Sequence, residues 1–198
     1  MVILLTGFGP FDVFSDNPSE VLIRHLKDTA SGIEIATLPV VYGKGREVLI
    51  EALDRHRPEA CVSFGLNATI GHIALEEIAL NIRASEVPDN DGNIHSGEEI
   101  SHGGPLAIRS GLPLDRIQDR LRTAGIPANR SYSAGVYLCN EVFYTLIEWC
   151  SENGAVGGFI HIPMAAEMIS DKPRMYRNPT MSLDMIKKAG EIVLDSIR

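Results

Sequence analysis

Cys139-Asn-Glu-Val-Phe-Tyr-Thr-Leu-Ile-Glu-Trp-Cys150, followed shortly by Val156-Gly-Gly-Phe-Ile-His-Ile162, is the part of this chain that decides its fold. The first segment reads as an amphipathic helix and the second as a short buried strand. A small-residue, Gly-containing approach, Ser133-Ala-Gly-Val-Tyr-Leu138, leads into the helix. Cys139 therefore stands at a predicted helix N-terminus and His161 near the end of the next strand. An α/β fold brings two such positions to the same edge of its sheet. A helix N-terminus favours a thiolate, and a neighbouring imidazole forms an ion pair with it. The pattern points to nucleophilic cysteine chemistry.

Working outward, apolar runs alternate with segments of helical period. Val2 to Leu5 reads as a strand, followed by a Gly/Pro/Asp/Asn-rich loop to Asn17. A helix opens at Pro18, with Asn17 as its N-cap. Ile33 to Val41 reads as strand, Lys44 to His56 as helix, and Ala60 to Gly65 as strand. Ile73 to Ile82 fits a strand, although Ala and Glu dilute the β signal. Val87-Pro-Asp-Asn-Asp-Gly92 is a turn cluster, and a loop of roughly twenty residues runs on to Leu114. Beyond it come a helix over Leu114–Ala124, a short strand over Ser131–Ala134, and a closing helix over Met181–Ile197. No repeat, linker or low-complexity segment interrupts the alternation. It predicts one α/β domain over residues 1–198, a three-layer α/β/α arrangement around a mostly parallel twisted sheet.

Composition narrows the function. The 198 residues carry 18 basic and 26 acidic side chains, a formal charge of −8, which opposes a general nucleic-acid or anionic-membrane binder. No apolar run approaches the roughly 18 residues that span a bilayer. The N-terminus lacks the basic start and cleavage site of a signal peptide. Three widely spaced cysteines form no disulfide framework, so a reducing cytoplasm is expected. No His/Cys/acid cluster has zinc spacing, Gly7-Phe-Gly9 does not continue as a dinucleotide fingerprint, and neither metal nor cofactor is expected.

Cys61 lies inside an apolar strand and Cys150 late in a helix, as inert core thiols do. His25 and His56 sit in charged helical segments, and His72, His95 and His102 in loops. A thiol–imidazole pair is normally completed by a third group that orients the ring. Glu76 and Glu77 are adjacent acids in an apolar stretch and would face opposite ways on a strand. Pattern alone does not choose between them.

The chain resembles pyroglutamyl peptidase I, a family of cysteine peptidases, through motifs that run in the family's order along its whole length. They include Leu5-Thr-Gly-Phe-Gly-Pro-Phe11, Asn17-Pro-Ser19, Leu75-Glu-Glu-Ile-Ala-Leu-Asn81, Pro88-Asp-Asn-Asp-Gly92, Ser133-Ala-Gly-Val-Tyr-Leu-Cys-Asn140 and Gly158-Phe-Ile-His-Ile-Pro163. The resemblance implies removal of N-terminal pyroglutamate from peptides by a Cys-His-Glu triad in a single α/β/α domain, commonly a homotetramer. It implies Cys139 as nucleophile, His161 as general base and acid, and Glu76 as the group orienting His161. Phe8 and Phe11 are similar to the family's ring-binding aromatics, Asn17 resembles a position that helps close the pocket, and Leu66 would offer its main chain to the lactam.

Two positions depart from the pattern. The family's Gly-Gln-Ala-Gly-Gly-Arg loop is Gly65-Leu-Asn-Ala-Thr-Ile70 here, and its Asp-Ala-Arg-Ile-Pro-Asp-Asn is Ala84-Ser-Glu86-Val-Pro-Asp-Asn90. The second arginine is associated with oxyanion stabilisation in the family, and a carboxylate replaces it. Arg83, three residues earlier, is the nearby cation that would lean into the same space. The departures leave open a divergent cysteine amidase for another small acyl or lactam group, or a non-catalytic member.

Overall fold

The computed structural model describes residues 1–11 and 16–198. Its strands are β1 (Ile3–Phe8), β2 (Ile33–Leu38), β3 (Ala60–Leu66), β4 (Ile73–Glu76), β5 (Ile78–Leu80), β6 (Arg83–Ala84), β7 (Ser96–Glu98), β8 (Ala107–Arg109), β9 (Ala128–Ser131), β10 (Val156–Ile162), β11 (Met164–Ala165) and β12 (Thr180–Met181). The helices are α1 (Pro18–Thr29), α2 (Lys44–His56), α3 (Leu114–Thr123), α4 (Leu138–Asn153) and α5 (Leu183–Ile197). Six strands form the central sheet in the order β2-β1-β3-β10-β4-β9. Its pairs are parallel except β10–β4, which is antiparallel. The fold is α/β with a mostly parallel sheet.

Helices cover both faces. On one, Leu22 and Ile23 of α1, Ile117 and Leu121 of α3, and Ile186 and Val193 of α5 meet Ile3, Val62 and Ile160 of the sheet. On the other, Leu49 and Leu53 of α2 and Val142, Phe143 and Leu146 of α4 meet Leu4, Cys61 and Phe159. Side chains alternate between faces along a strand, so Phe159 and His161 of β10 both point to the α4 side. Phe64, Phe143 and Phe159 are fully buried, and truncation of such a residue to alanine costs about 3–5 kcal/mol.

Several boundaries differ from the sequence reading. β2 ends at Leu38 because Pro39 has no N–H to extend the ladder. The stretch from Ile73 to Ile82 is two strands rather than one. At Glu77 the amide still bonds Ser131 O (2.7 Å), beside β9, but the carbonyl accepts from Ser110 N (2.8 Å) and turns the chain toward β8. The strand expected at Ser131–Ala134 lies three residues earlier, as β9, an edge strand whose polar Asn129 and Arg130 hide the apolar pattern. The long loop before Leu114 contains β7 and β8, which pair with β6 and β5. α5 begins after Ser182, whose hydroxyl accepts from the amide of Met185, while Met181 belongs to β12. No helix among the described residues is long and apolar enough to cross a membrane.

Candidate active site

The C-terminal ends of β1, β3 and β10 and the N-terminus of α4 converge on a cleft of about 470 Å³. Phe8, Phe11, Asn17, Leu66, Cys139 and His161 all line it. Glu76 stands behind His161 on β4. Glu86 and Ile70 are absent from the lining, and Glu86 is exposed to solvent.

The helix carrying the thiol starts one residue earlier than its sequence pattern suggests. Tyr137 is the N-cap of α4 and makes no side-chain capping bond, so Cys139 is the second helical residue. Its backbone N–H thus belongs to the first turn, where amides have no intrahelical acceptor. The thiol is half-buried, whereas Cys61 and Cys150 are buried. Burial pushes both of those thiols up, Cys61 well above its ordinary range and Cys150 to about 12. Both are inert at neutral pH.

His161 and Glu76 are 4% and 1% exposed, which leaves no room for an unpartnered charge. The imidazole Nδ1 lies 2.8 Å from Glu76 Oε1. With Nδ1 engaged, Nε2 is the ring nitrogen left for the cleft that His161 and Cys139 both line. Burial opposes protonation of the ring, but the charge of Cys139, its hydrogen bond and the Glu76 carboxylate outweigh it, raising the His161 pKa to about 9. Glu76 Oε2 is buried without a hydrogen-bond partner among the described residues, so this carboxylate is committed to the imidazole.

The two adjacent acids do face opposite ways. Glu77 is bound by Arg109 (3.0 Å) and Arg130 (2.7 Å), in a second cleft that also contains Leu114 and Asp115 at the start of α3. The choice that alternation left open is made by the register: Glu76 faces Phe159 across the β4–β10 pair, on the same side as His161.

Around the thiol the fit is close. A Cβ added to Gly65 would come 2.6 Å from the Phe159 ring and 3.1 Å from Cys139 Sγ. The ring of Phe159 in turn meets His161 edge-on, with centroids 4.9 Å apart. Phe8 is almost fully buried, whereas Phe11 is half-buried and faces Tyr137 at 6.2 Å between ring centroids. Asn17 is heavily engaged: Oδ1 accepts from the amide (3.0 Å) and hydroxyl (2.8 Å) of Ser19, and Nδ2 donates to Gly9 O (3.1 Å). It caps α1 and ties down the Phe8–Phe11 loop at once.

Arg83 does not enter the cleft. Its Nη1 donates to Glu141 Oε1 at 2.9 Å, and Glu141 is fully buried in the first turn of α4. The sequence reading also missed Asn67, Ala68, Tyr137 and Met175 in the cleft wall and Gly65 beneath the thiol. Met175 sits in a short 3-10 turn whose Pro and Arg neighbours resemble an ordinary surface loop. No group of three or more His, Cys, Asp or Glu side chains among the described residues is arranged to hold a metal ion.

The family model described as pyroglutamyl peptidase matches residues 1–198. The chain belongs to the pyroglutamyl peptidase family. It is 40% identical over 195 residues to the pyrrolidone-carboxylate peptidase of Bacillus amyloliquefaciens, covering 96% of this chain and 89% of that one. It is 36% identical to the Pyrococcus furiosus pyrrolidone-carboxylate peptidase over the full length of both chains. Among solved structures, a mutant pyrrolidone carboxyl peptidase from P. furiosus superposes with a TM-score of 0.93 at 35% identity, covering 100% of this chain and 98% of its own. The crystal structure of B. amyloliquefaciens pyroglutamyl peptidase I gives 0.92 at 38% identity, covering 98% and 95%. These likenesses support the peptidase reading and lend nothing to a divergent amidase or a non-catalytic member.

Proposed function

We infer that the chain is a cysteine-type omega peptidase that hydrolyses the amide bond after an N-terminal pyroglutamyl residue, with Cys139, His161 and Glu76 as its catalytic groups. The observation that carries this reading is the run from Glu76 through His161 to Cys139, ending in a cleft bounded by Phe8 and Phe11. Pyroglutamate is a neutral lactam with no free α-amine. A small ring of that kind suits an apolar clamp supplemented by main-chain hydrogen bonds, which Phe8, Phe11 and the backbone of Leu66 provide.

The Cys139 thiolate attacks the pyroglutamyl carbonyl carbon, forming the C–S bond and a tetrahedral oxyanion. The Cys139 N–H, in the open first turn of α4, is placed to stabilise that charge. Collapse breaks the C–N bond as protonated His161 gives its proton to the departing amine. Water, deprotonated by His161, then attacks the thioester, releasing pyroglutamate and the free thiol. Glu76 holds the ring through Nδ1 and favours the imidazolium. Asn17 acts by fixing the Gly9 carbonyl and with it the phenylalanine loop.

The same reading extends to pyroglutamylated peptides as substrates, to one domain over residues 1–198, and to a homotetramer, the last by family resemblance. A reducing cytoplasm is in keeping with three unpaired thiols.

The test is release of a fluorogenic amine from a pyroglutamyl amide under reducing conditions. Wild type is expected to be active and Cys139→Ala inactive. A folded wild type without activity, or an active Cys139→Ala variant, overturns the assignment.

A further inference from the structure

Cys139 is followed by two polar residues that are wholly buried, Asn140 and Glu141, both 0% exposed. A buried amide and a buried carboxylate in a helix's first turn require firm partners, and both find them on one strip of chain. Asn140 Oδ1 accepts from the Leu80 amide at 2.9 Å, and its Nδ2 donates to the carbonyls of Leu80 and Ile82, each at 2.8 Å. The side chain thereby exchanges N–H···O bonds in both directions with Leu80, as a neighbouring residue does in an antiparallel ladder. The other edge of β5 is occupied by β8. Glu141 is held by Arg83 Nη1 and by the amide of Gly43, the latter at 3.3 Å.

Leu80, Ile82 and Arg83 lie only a few residues beyond Glu76. Successive helical residues are separated by about 100° around the axis, so fixing Asn140 against the strand fixes the rotation of the first turn. That rotation sets where the Cys139 side chain points. One short segment, Glu76–Arg83, thus orients His161 at its beginning and the turn bearing Cys139 at its end.

We propose that Asn140 is a positioning residue for the reaction: its amide, clamped to Leu80 and Ile82, aims the Cys139 sulfur at His161. The inference rests on the reading of Cys139 as the nucleophile. Its energetic basis is general, because a misplacement of about 1 Å at a reacting group costs on the order of a hundredfold in rate.

The experiment compares wild type with Asn140→Asp, which sets a carboxylate oxygen against two carbonyl oxygens, and with Asn140→Ser, which is too short to make all three bonds. For each, kcat and KM on a pyroglutamyl amide are measured well below the melting temperature. The rate of Cys139 alkylation by iodoacetamide is followed against pH by mass spectrometry. The expected result is a fall in kcat on the order of a hundredfold with KM within about twofold, together with a displaced pH profile of alkylation. Asn140→Ser keeps the test open if Asn140→Asp does not fold. Folded variants with wild-type kcat and an unchanged alkylation profile overturn the proposal, even if their melting temperature is lower. Alkylation needs no turnover, so it tests Asn140 even if wild type fails to cleave the pyroglutamyl amide, the result that rejects the substrate assignment.

Discussion

His161 Nδ1 and Glu76 Oε1 stand 2.8 Å apart as diagonal neighbours on an antiparallel strand pair, Phe159 being directly opposite Glu76 and Ala74 opposite His161. This contact fixes which ring nitrogen faces the thiol. Glu76→Gln removes the charge and can present an N–H to Nδ1, which selects the wrong tautomer. A loss in kcat on the order of a hundredfold or more is expected, with the His161 titration, followed by NMR, moving below its value of about 9. An unchanged titration would deny Glu76 its electrostatic part.

The same ring links stability to pH. Its folded pKa of about 9 lies above the ordinary 6.5, so the folded state binds this proton more tightly than the unfolded chain does. The stabilisation is complete below about pH 6.5 and is lost as pH rises through about 9. Melting temperatures across that window are expected to decline more steeply for wild type than for His161→Gln. Parallel slopes would contradict the linkage.

Gly65→Ala places a methyl group 2.6 Å from the Phe159 ring and 3.1 Å from Cys139 Sγ. Because Phe159 is fully buried between sheet and α4, it has little room to yield. Overpacking of this sort costs about 1–3 kcal/mol. Denaturant melts should report that loss, and iodoacetamide should react more slowly with Cys139.

Phe8 and Phe11 should separate by phenotype. Phe8 belongs to the core, and Phe8→Ala is expected to cost about 3–5 kcal/mol. Phe11 is half-buried at the cleft wall, so Phe11→Ala should cost about 1 kcal/mol or less in stability while raising KM. Equal effects on both properties would refute this division.

The sequence was most legible where one physical signal dominated. α2 and β10 have the predicted bounds, since the apolar spacing of one and the apolar run of the other meet no competing cue. Cys139 and His161 stood out because reactive side chains at a helix start and a strand end reach one sheet edge. Strand direction was not legible: an apolar run such as Ile73-Ala-Leu75 looks the same whichever way it runs, and β4 lies antiparallel to β10. Two- and three-residue strands such as β6 and β8 are too short to display a period. Arg83 drew attention for its charge and its place near Glu86, but a buried Glu141 was already its partner, and only the folded chain reveals that pairing.

Gly157 and Gly158 bring this geometry to bear on how the enzyme fails. A Cβ on Gly157 would meet Cys150 Sγ and Leu146 of α4 at 2.6 Å, and one on Gly158 would meet Ser110 Oγ and Leu112 on the opposite face of the sheet. At Gly157 the helix bearing Cys139 therefore sets its Leu146 and Cys150 side chains directly on the bare backbone of the strand bearing His161, with no side chain of the strand between them to act as a compliant spacer. Cys139 and His161 share the spacing of the core itself. Heat inactivation should accordingly coincide with global melting, with no earlier phase in which a folded protein has already lost its catalytic alignment.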